Sequence, residues 1–510
     1  MKAMRRAFPR DPRSRRISTA ATGPFNWVRG ERVAPSDGLG VEAVVEPGTG
    51  RVIAEVPGSG ARDVDAAVRE AARAFEEWGE VGPRERGRRL LGVARVIEEN
   101  LEDIARLEVR DTGKPIWEAR VDVGSCADAF RFFGGVVAGF HGRHVQLEGG
   151  SFAVVRKEPL GVIGGIGAWN FPMQTCTWKV APALAAGNAF VYKPAQWTPL
   201  TAVTLGEAIR EAGIPDGVYN VVQGAGETGR LLCEHPQVAK LSFTGSVPTG
   251  VRVMTAGAGR VVPVTLELGG KSPLVVFPDA DLESAVKGAL VGNFLSQGEV
   301  CSNGTRVFVH SSIKKPFLDM LLGAVRKMKV GDPFEEDTVV GATITESHAR
   351  KVLSYIEEAR GERGAVVHGG ERVRLPPPHD GGWYLSPCVV ENARDEMRCV
   401  REEIFGSVLS LLEFDDEEEA VARANATEFG LAGAVFTRDI RRGHRVAARL
   451  KAGTVWINTF NLYPTELPFG GFKRSGVGRE NGVDALHHFS QTKTVYVEMG
   501  EVQCGPLWKD

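Results

Sequence analysis

Residues 154–194 read VVRKEPLGVIGGIGAWNFPMQTCTWKVAPALAAGNAFVYKP, and this stretch decides the class of fold. It predicts a strand that ends in a glycine-rich turn, then a helix stopped by Gly187, then a second strand that ends at Lys193. The same alternation of strands and helices continues to Gly270. Because strand–helix–strand units join parallel strands, we predict an α/β fold whose parallel sheet carries helices on both faces.

The segments on either side of this unit have their own patterns. Short strands broken by turns are predicted over residues 25–56, two amphipathic helices over 64–113 and a further helix over 117–140. A second alternating region extends to about residue 485. The strand TKTVYVEM, residues 492–499, has no partner beside it in the sequence, so we expect it to pair elsewhere or with a neighbouring subunit.

The composition is that of an ordinary globular protein. Of 510 residues, 43% are hydrophobic and 25% are charged, and the formal net charge is −2. Such a chain has no strong field to attract nucleic acid or an anionic membrane surface. No apolar run reaches the roughly 18 residues of a membrane-spanning helix. We therefore expect a small-molecule partner, with no nucleic acid and no membrane.

The cysteines and the N-terminus bear on the compartment. The seven cysteines are scattered and form no C-x-x-C pair, which argues against disulfides and against a zinc site. We predict no bound metal and a cytoplasmic protein. Residues 1–16 carry seven Lys or Arg and one acid, which also fits a mitochondrial transit peptide. Because Pro9 and Pro12 would break the helix of such a peptide, we favour a disordered basic tail over residues 1–22, with the mitochondrial matrix as the alternative location.

Two short segments carry the candidate chemistry. QGEVCSNGT, residues 297–305, places the Cys301 thiol among small and polar residues, where a substrate can approach it. ELGGKS, residues 267–272, places Glu267 at the end of an apolar strand and before a Gly-Gly turn. A nucleophilic cysteine and a general base form and then hydrolyse a thioester. A lone cysteine or glutamate is more often structural, so these roles depend on the rest of the chain.

Two glycine-containing turns are candidates for a phosphate site. Residues 224–229 contain G-x-G-x-x-G after a strand, but the acid that a dinucleotide site wants about twenty residues later is missing. FTGSVPTG, residues 243–250, is a better cradle, because Gly245 permits close backbone approach and Ser246 offers a hydroxyl at a helix start. Lys193 ends its strand, where an α/β sheet places ligand contacts.

Further motifs occur in a fixed order around these segments: AWNFP at 168–172, YKP at 192–194, EEIFG at 402–406 and PFGGFKRSGVGRE at 468–480. Together with the segments above, they resemble the aldehyde dehydrogenase superfamily over nearly all of the chain from about residue 25. The interval of 34 residues from Glu267 to Cys301 is part of this resemblance. Longer strings such as APALAAGNA and NFLSQGEVCSNGTRVFV resemble most closely the 4-trimethylaminobutyraldehyde dehydrogenase group, near the betaine-aldehyde enzymes.

The resemblance implies a fold, a cofactor and an assembly. The fold is the aldehyde dehydrogenase fold, with a Rossmann-like NAD domain, an α/β catalytic domain and a small β oligomerisation flap. The cofactor is NAD and the assembly a homotetramer. The expected boundaries are 23–138 with 160–269 for the NAD-binding domain, 270–487 for the catalytic domain, and 139–159 with 488–510 for the oligomerisation segment.

The resemblance also implies the catalytic roles. Cys301 attacks the aldehyde carbon, and the Asn170 amide with the Cys301 backbone N–H forms the oxyanion hole. Glu267 activates the water that cleaves the thioester. Glu480 matches a residue that relays protons from Glu267. One preorganised oxyanion donor is typically worth about 3–4 kcal/mol in the transition state.

Around the cofactor the sequence departs from the family pattern at two positions. Gln196 stands where a glutamate usually binds the adenine ribose, which weakens the preference for NAD over NADP. Ser407 stands where a proline usually follows EEIFG, which loosens the segment that grips the nicotinamide ribose. The residues that the resemblance places around the cofactor are Lys193, Gln196, Gly245, Ser246, Gly250, Glu403 and Phe405.

The implied substrate tunnel combines aromatic rings with one carboxylate, which suits a quaternary ammonium group. We therefore expect 4-trimethylaminobutanal, whose oxidation feeds carnitine synthesis, and related aminoaldehydes as substrates. Betaine aldehyde is an alternative. The tunnel residues are Phe171, Trp178, Phe460, Tyr463, Glu466 and Phe469.

Three other functions remain open. A general or semialdehyde dehydrogenase would share the chemistry, although a semialdehyde site would want an arginine near Tyr463, and none is evident. A catalytically inert, crystallin-like structural protein would keep the fold, but Cys301, Glu267 and Asn170 are all present. A cysteine hydrolase would need a histidine base, and no sequence feature pairs any of the ten histidines with Cys301.

Overall fold

The computed structural model describes residues 17–19, 21–23 and 25–507. The strands are β1 (Asn26–Val28), β2 (Glu31–Val33), β3 (Val41–Glu46), β4 (Arg51–Pro57), β5 (Arg143–Gln146), β6 (Phe152–Pro159), β7 (Val162–Ile166), β8 (Ala189–Lys193), β9 (Tyr219–Val221), β10 (Val238–Thr244), β11 (Val264–Glu267), β12 (Pro273–Val276), β13 (Arg306–His310), β14 (Val366–Gly369), β15 (Arg372–Val373), β16 (Tyr384–Leu385), β17 (Cys388–Glu391), β18 (Val408–Phe414), β19 (Ala432–Phe436), β20 (Thr454–Ile457), β21 (Gly476–Val477) and β22 (Ser490–Val497). The helices are α1 (Ala61–Glu80), α2 (Pro83–Glu99), α3 (Leu101–Thr112), α4 (Ile116–Val136), α5 (Pro172–Ala185), α6 (Leu200–Glu211), α7 (Gly226–Glu234), α8 (Val247–Arg260), α9 (Leu282–Phe294), α10 (Ser311–Val325), α11 (Glu346–Gly361), α12 (Arg398–Arg401), α13 (Glu417–Asn425), α14 (Ile440–Arg449) and α15 (Asp484–His488).

The first sheet has the strand order β2-β1-β9-β8-β7-β10-β11-β21. Its five central strands, β9 to β11 in that order, are parallel. Every residue of β7 and β8 is buried, as expected for parallel strands with helices on both faces. The predicted α/β fold is confirmed, because the alternation of strands and helices over residues 154–270 builds this sheet.

The order of the first sheet creates a crevice beside β7. From β7 the chain passes to β8 and β9 on one side, and then returns to place β10 and β11 on the other. Ligands bind at the carboxyl ends of strands where such a sheet reverses direction. The segment after β7 and the start of α8 after β10 therefore face the same crevice.

The second sheet has the order β14-β17-β18-β13-β12-β19-β20, and only β14 is antiparallel to its neighbour. Glu267 is the last residue of β11 in the first sheet. Cys301 lies in the turn that leads to β13 of the second sheet. The two candidate catalytic groups thus come from different sheets and meet between them.

Two features differ from the sequence-based expectations. Residues 64–113 form three helices instead of two, because α1 ends before Pro83 and Asn100 separates α2 from α3. Ile17 is buried in the core beside Trp27, so the predicted disordered tail does not include Ile17. Residues 1–16 of that tail lie outside the described residues.

The C-terminal strand finds its partner within the chain. All eight residues of β22 pair antiparallel with β6, and β5 completes a three-stranded sheet. The expectation that this strand pairs away from its sequence neighbours is confirmed, and β22 lies at the edge of that sheet. Among the helices of residues 25–507, none combines the length and the hydrophobicity needed to cross a membrane.

Candidate active site

Cys301 follows a turn with unusual backbone geometry. Ser296, Gln297 and Gly298 have φ values of 49°, 53° and 76°, a left-handed conformation that is costly for residues with a side chain. The Ser296 N–H donates to a carboxylate oxygen of Glu118 at 2.9 Å, which helps to hold the turn. The turn leaves Cys301 partly buried at the entrance to the second sheet.

The surroundings of Cys301 keep its thiol protonated in the free protein. Burial raises the pKa of Cys301 to about 12, and the negative charges of Glu403 and Glu267 act in the same direction. The backbone N–H groups of Cys301 and Ser302 oppose this rise. The nucleophilic thiolate therefore requires a base that removes the proton, or a bound group that changes the local charge.

Glu267 has the environment of a poised base. Its side chain is 3% exposed, and neither carboxylate oxygen has a hydrogen-bond partner within the described part of the chain. Burial raises the pKa of Glu267 well above its ordinary value, and the charge of Glu480 raises it further. The charges of Lys179 and Arg479 lower it. A carboxyl group with a raised pKa can take a proton near neutral pH.

A buried ion pair between Lys179 and Glu480 lies within electrostatic range of this base. The fully buried Lys179 ammonium donates to Glu480 and to the Thr244 hydroxyl. The Glu480 backbone forms two hydrogen bonds with Phe469, of 2.7 and 2.8 Å. Glu480 is thereby fixed between Lys179 and a residue predicted to line the substrate tunnel.

Asn170 is buried in the segment between β7 and α5. Its Nδ2 donates one hydrogen bond, of 2.7 Å, to the carbonyl oxygen of Glu299. An amide nitrogen has two hydrogens, so the second remains for an oxyanion. The bond to Glu299 fixes the direction of that second N–H.

Lys193 stands at the carboxyl end of β8, as predicted. Its Nζ donates to the carbonyl oxygens of Pro194 and Gly224 at 2.6 and 2.7 Å, and burial lowers its pKa to about 8. Gln196 is partly exposed close behind it. Lys193 and Gln196 therefore lie on the β8 side of the crevice.

The start of α8 lies on the β10 side of the crevice. Ser246 is the N-cap residue, and its exposed hydroxyl bonds to Thr249 at 3.1 Å without capping a backbone N–H. Gly250 packs so tightly that an added Cβ would lie 2.6 Å from Leu268. An added Cβ at Gly245 would lie 2.6 Å from the Phe243 ring. The backbone here is compact, and the helix N-terminus is open to an anion.

The segment 402–407 brings a second carboxylate to Cys301. The Gly270 N–H donates to Glu403 Oε1 at 3.2 Å, and burial raises the pKa of Glu403 to about 7. Phe405 follows with a positive φ of 64° and a partly exposed side chain. Glu403 therefore lies beside the ELGGKS segment and within electrostatic range of Cys301.

Trp178, Tyr463 and Phe469 form an aromatic cluster that packs against Cys301. The ring centroids of Tyr463 and Phe469 lie 5.2 Å apart, and Trp178 lies 5.6 Å from Phe469 and 6.3 Å from Tyr463. All three contacts are edge-to-face. The Tyr463 hydroxyl is hydrogen-bonded to Ser302, the residue after Cys301.

The other predicted tunnel residues lie outside this aromatic cluster. Phe460 packs against Trp456, 4.8 Å between centroids, within the core of the second sheet. Phe171 lies over the Lys114 ammonium, 3.8 Å from the ring centroid. Glu466 is exposed in the same 460–469 segment as Tyr463 and Phe469. Their contact with a substrate remains a prediction.

Several residues near Cys301 and Glu267 were not expected from the sequence. Lys179 could have been found, because a lysine within the apolar helix TWKVAPALAA needs a buried partner. Ser302 and Asn461 gave no such signal, because the Asn461 amide oxygen accepts from the distant Ser302 hydroxyl and from the Tyr463 hydroxyl. His348 gave none either, because it contacts the Phe405 carbonyl, 57 residues away. Within the described ranges no group of three or more His, Cys, Asp or Glu could hold a metal ion.

The chain is similar to known proteins over most of its length. The model of the aldehyde dehydrogenase family matches residues 34–495. The 4-trimethylaminobutyraldehyde dehydrogenase A of Danio rerio is 53% identical over 481 residues, which cover 94% of this chain and 95% of the relative. The human 4-trimethylaminobutyraldehyde dehydrogenase is 52% identical over 482 residues, 94% of this chain and 97% of the relative. A crystal structure of betaine aldehyde dehydrogenase from Staphylococcus aureus in complex with NAD+ has a TM-score of 0.91 and 37% identity, covering 95% of this chain and 97% of that chain.

Proposed function

This chain belongs to the aldehyde dehydrogenase family, and we propose that it oxidises a cationic aldehyde to the carboxylate with NAD, with 4-trimethylaminobutanal as the first substrate. The observation that carries the proposal is the aromatic cluster packed against Cys301, with the buried, unpaired carboxylate of Glu267 within electrostatic range of the same residue. The names of the relatives from Danio rerio and human support the same substrate. Betaine aldehyde and short aminoaldehydes are the alternatives of the same chemical class.

The proposed chemistry assigns one task to each catalytic residue. Cys301 Sγ gives its proton to solvent water and bonds to the carbonyl carbon; the π electrons of the C=O bond move to the oxygen, and Asn170 Nδ2–H and the Cys301 N–H donate to the resulting oxyanion. The hydride that leaves this carbon would pass to NAD, which would supply the oxidising equivalent at this site. Glu267 then takes a proton from the water that attacks the thioester, and the carboxylate product and the Cys301 thiol are released. The Glu480–Lys179 pair passes the proton onward from Glu267.

The residues around the crevice fit NAD. The phosphates of a dinucleotide bind at an open helix N-terminus beyond the carboxyl ends of the strands, where a lysine can add a positive charge. Lys193 and the start of α8, with Gly245, Ser246 and Gly250, supply these groups. Glu403 and Phe405 would hold the nicotinamide ribose, since Glu403 Oε2 has no partner among the hydrogen bonds of the described residues. Gln196 would face the adenine ribose.

The substrate preference is proposed from the aromatic cluster beside Cys301 and from the carboxylate of Glu466. The faces of Trp178, Tyr463 and Phe469 attract a quaternary ammonium group, by about 2 kcal/mol when the cation is desolvated. Glu466 would draw the cation toward the entrance. Phe171 and Phe460, outside this aromatic cluster, would shape the substrate tunnel.

We also propose a cytoplasmic homotetramer, with a role in carnitine synthesis. β22 lies at the edge of its sheet with Val495 and Tyr496 exposed, as suits a strand that meets a neighbouring subunit. All seven cysteines are free thiols, which supports a reducing compartment. Light scattering and cell fractionation test these two proposals.

The decisive experiment compares NADH formation from 4-trimethylaminobutanal, hexanal and succinic semialdehyde. We expect selective turnover of the cationic aldehyde, and its loss in Cys301→Ala. Glu466→Gln should raise KM for 4-trimethylaminobutanal and leave hexanal unchanged, whereas the exposed control Glu371→Gln should change neither. Equal turnover of hexanal would refute the cation site, and no NADH from any aldehyde with a folded protein would refute the oxidation itself.

A further inference from the structure

His348 contacts the segment that carries Glu403 and Phe405. From the first turn of α11, its Nε2 lies 2.6 Å from the carbonyl oxygen of Phe405. A carbonyl only accepts hydrogen bonds, so Nε2 carries the hydrogen and donates it. The His348 side chain is 9% exposed. This bond is therefore shielded from competing water.

Trp169 completes the contact from a third direction. Its ring meets His348 at 5.3 Å and Phe405 at 5.2 Å between centroids, both edge-to-face. Trp169 immediately precedes Asn170, the proposed oxyanion donor. The imidazole thus lies between the cofactor segment and the oxyanion segment.

The residues just before α11 are also hydrogen-bonded to Glu299, which lies two residues before Cys301. The Ile344 N–H donates to Glu299 Oε1 at 3.1 Å, and the Glu299 carbonyl is the group that holds Asn170. Thr345 caps α11 by accepting from the His348 N–H at 3.1 Å. His348 is therefore anchored to the same residues that orient the oxyanion donor.

The segment 402–407 needs such an anchor. Phe405 has a φ of 64°, which costs about 1–2 kcal/mol for a residue with a side chain. Residue 407 is a serine, so the backbone there lacks the fixed φ of a pyrrolidine ring. The Ser407 hydroxyl is buried and has no hydrogen-bond partner in the described part of the chain. Nothing in the sequence of the segment itself fixes this conformation.

We propose that His348 is a positioning residue that holds the 402–407 segment through the Phe405 carbonyl, and so sets Glu403 and Phe405 for the cofactor. The cofactor part of this inference rests on the proposed function, whereas the ordering of the segment does not. Burial lowers the pKa of His348 to about 4, so the ring is neutral at pH 7 and its Nε2–H serves as the donor.

The first test uses the protein without cofactor. Hydrogen exchange of the backbone amides of residues 403–408 is compared in wild type, His348→Phe and His348→Gln. Phenylalanine keeps the ring contact with Trp169 but removes the donor, and glutamine retains an N–H donor. We expect exchange about fivefold faster in His348→Phe, as the loss of one neutral hydrogen bond implies, and partial recovery in His348→Gln. His368→Phe, on the edge strand β14, is the matched control. Unchanged exchange in His348→Phe would overturn the proposal.

The second test asks whether a proline at residue 407 compensates for the loss of His348. Ser407→Pro should restore slow exchange in the His348→Phe background, because it fixes φ and removes the unpaired hydroxyl. The Kd of NAD, measured by quenching of tryptophan fluorescence, should rise about fivefold in His348→Phe and recover in the double variant, with KM for the aldehyde unchanged. If the wild type binds no NAD, the proposed function fails while the exchange data still decide the anchor. Normal NAD affinity in His348→Phe would overturn the cofactor part.

Discussion

Gly269→Ala is predicted to damage cofactor binding without damaging the fold. A Cβ at residue 269 would lie 2.1 Å from Glu403 Oε2 and 2.5 Å from its Cδ. Carbon and oxygen atoms pack at about 3.5 Å, so the carboxylate must move by roughly 1 Å. The 3.2 Å hydrogen bond from Gly270 to Glu403 would then be lost. Residue 269 has no positive φ, and the displaced atoms end a flexible side chain, so the cost in stability should be small.

A displacement of about 1 Å can cost on the order of 100-fold in a positioned site. We therefore expect KM for NAD to rise at least tenfold, while kcat changes less and the thermal midpoint falls by no more than a few degrees. Steady-state NADH formation and a thermal melt measure these quantities. Gly323→Ala is the control, because a Cβ there meets nothing within 4 Å.

The double variant Gly269→Ala, Glu403→Gln separates the mechanism from a general disturbance. If the glycine acts through the carboxylate, the alanine should add little once Glu403 is replaced. An unchanged KM for NAD in well-folded Gly269→Ala would refute the reasoning. Equal, additive losses from both substitutions would refute it as well.

Two further predictions concern the charges around Cys301. Glu267→Gln should abolish turnover yet speed the alkylation of Cys301 by iodoacetamide at pH 8, because it removes one of the negative charges that raise the thiol pKa. Mass spectrometry in a Cys504→Ser background measures the rate of alkylation. Slower alkylation in Glu267→Gln would contradict the effect assigned to this charge. Glu480→Gln should move the acidic limb of the pH–rate profile to lower pH and Lys179→Met should move it to higher pH, since the first removes a charge that raises the pKa of Glu267 and the second removes a charge that lowers it. Glu267 works deprotonated, so activity rises with pH through its pKa, and shifts of the same sign in both variants would exclude this coupling.

Much of the fold and part of the site could be predicted from the sequence. Glycine stops and apolar periodicity located the strands of the first sheet, and Glu267 and Lys193 stand at strand ends as expected. The break at Asn100 between α2 and α3 was missed, because the helical pattern continues across it. Five aromatic rings were predicted to line the substrate tunnel, and three of them pack together against Cys301. Phe171 lies over Lys114 and Phe460 in the core, since side-chain partners depend on packing that a linear motif does not contain.

By itself, the sequence determined the alternating architecture and indicated Cys301, Glu267 and Asn170 as the candidate thiol, base and oxyanion amide. Those properties are local, because periodicity, turn residues and chemical type are carried by neighbouring positions. The tertiary structure alone decided which charges act on Cys301 and Glu267. Lys179 and Glu480 are 301 residues apart in the chain and form one buried pair, and His348 reaches Phe405 across 57 residues. Desolvation and the electrostatic interaction of such groups arise only when distant segments are packed together, and these two effects set the proton affinities on which the chemistry depends.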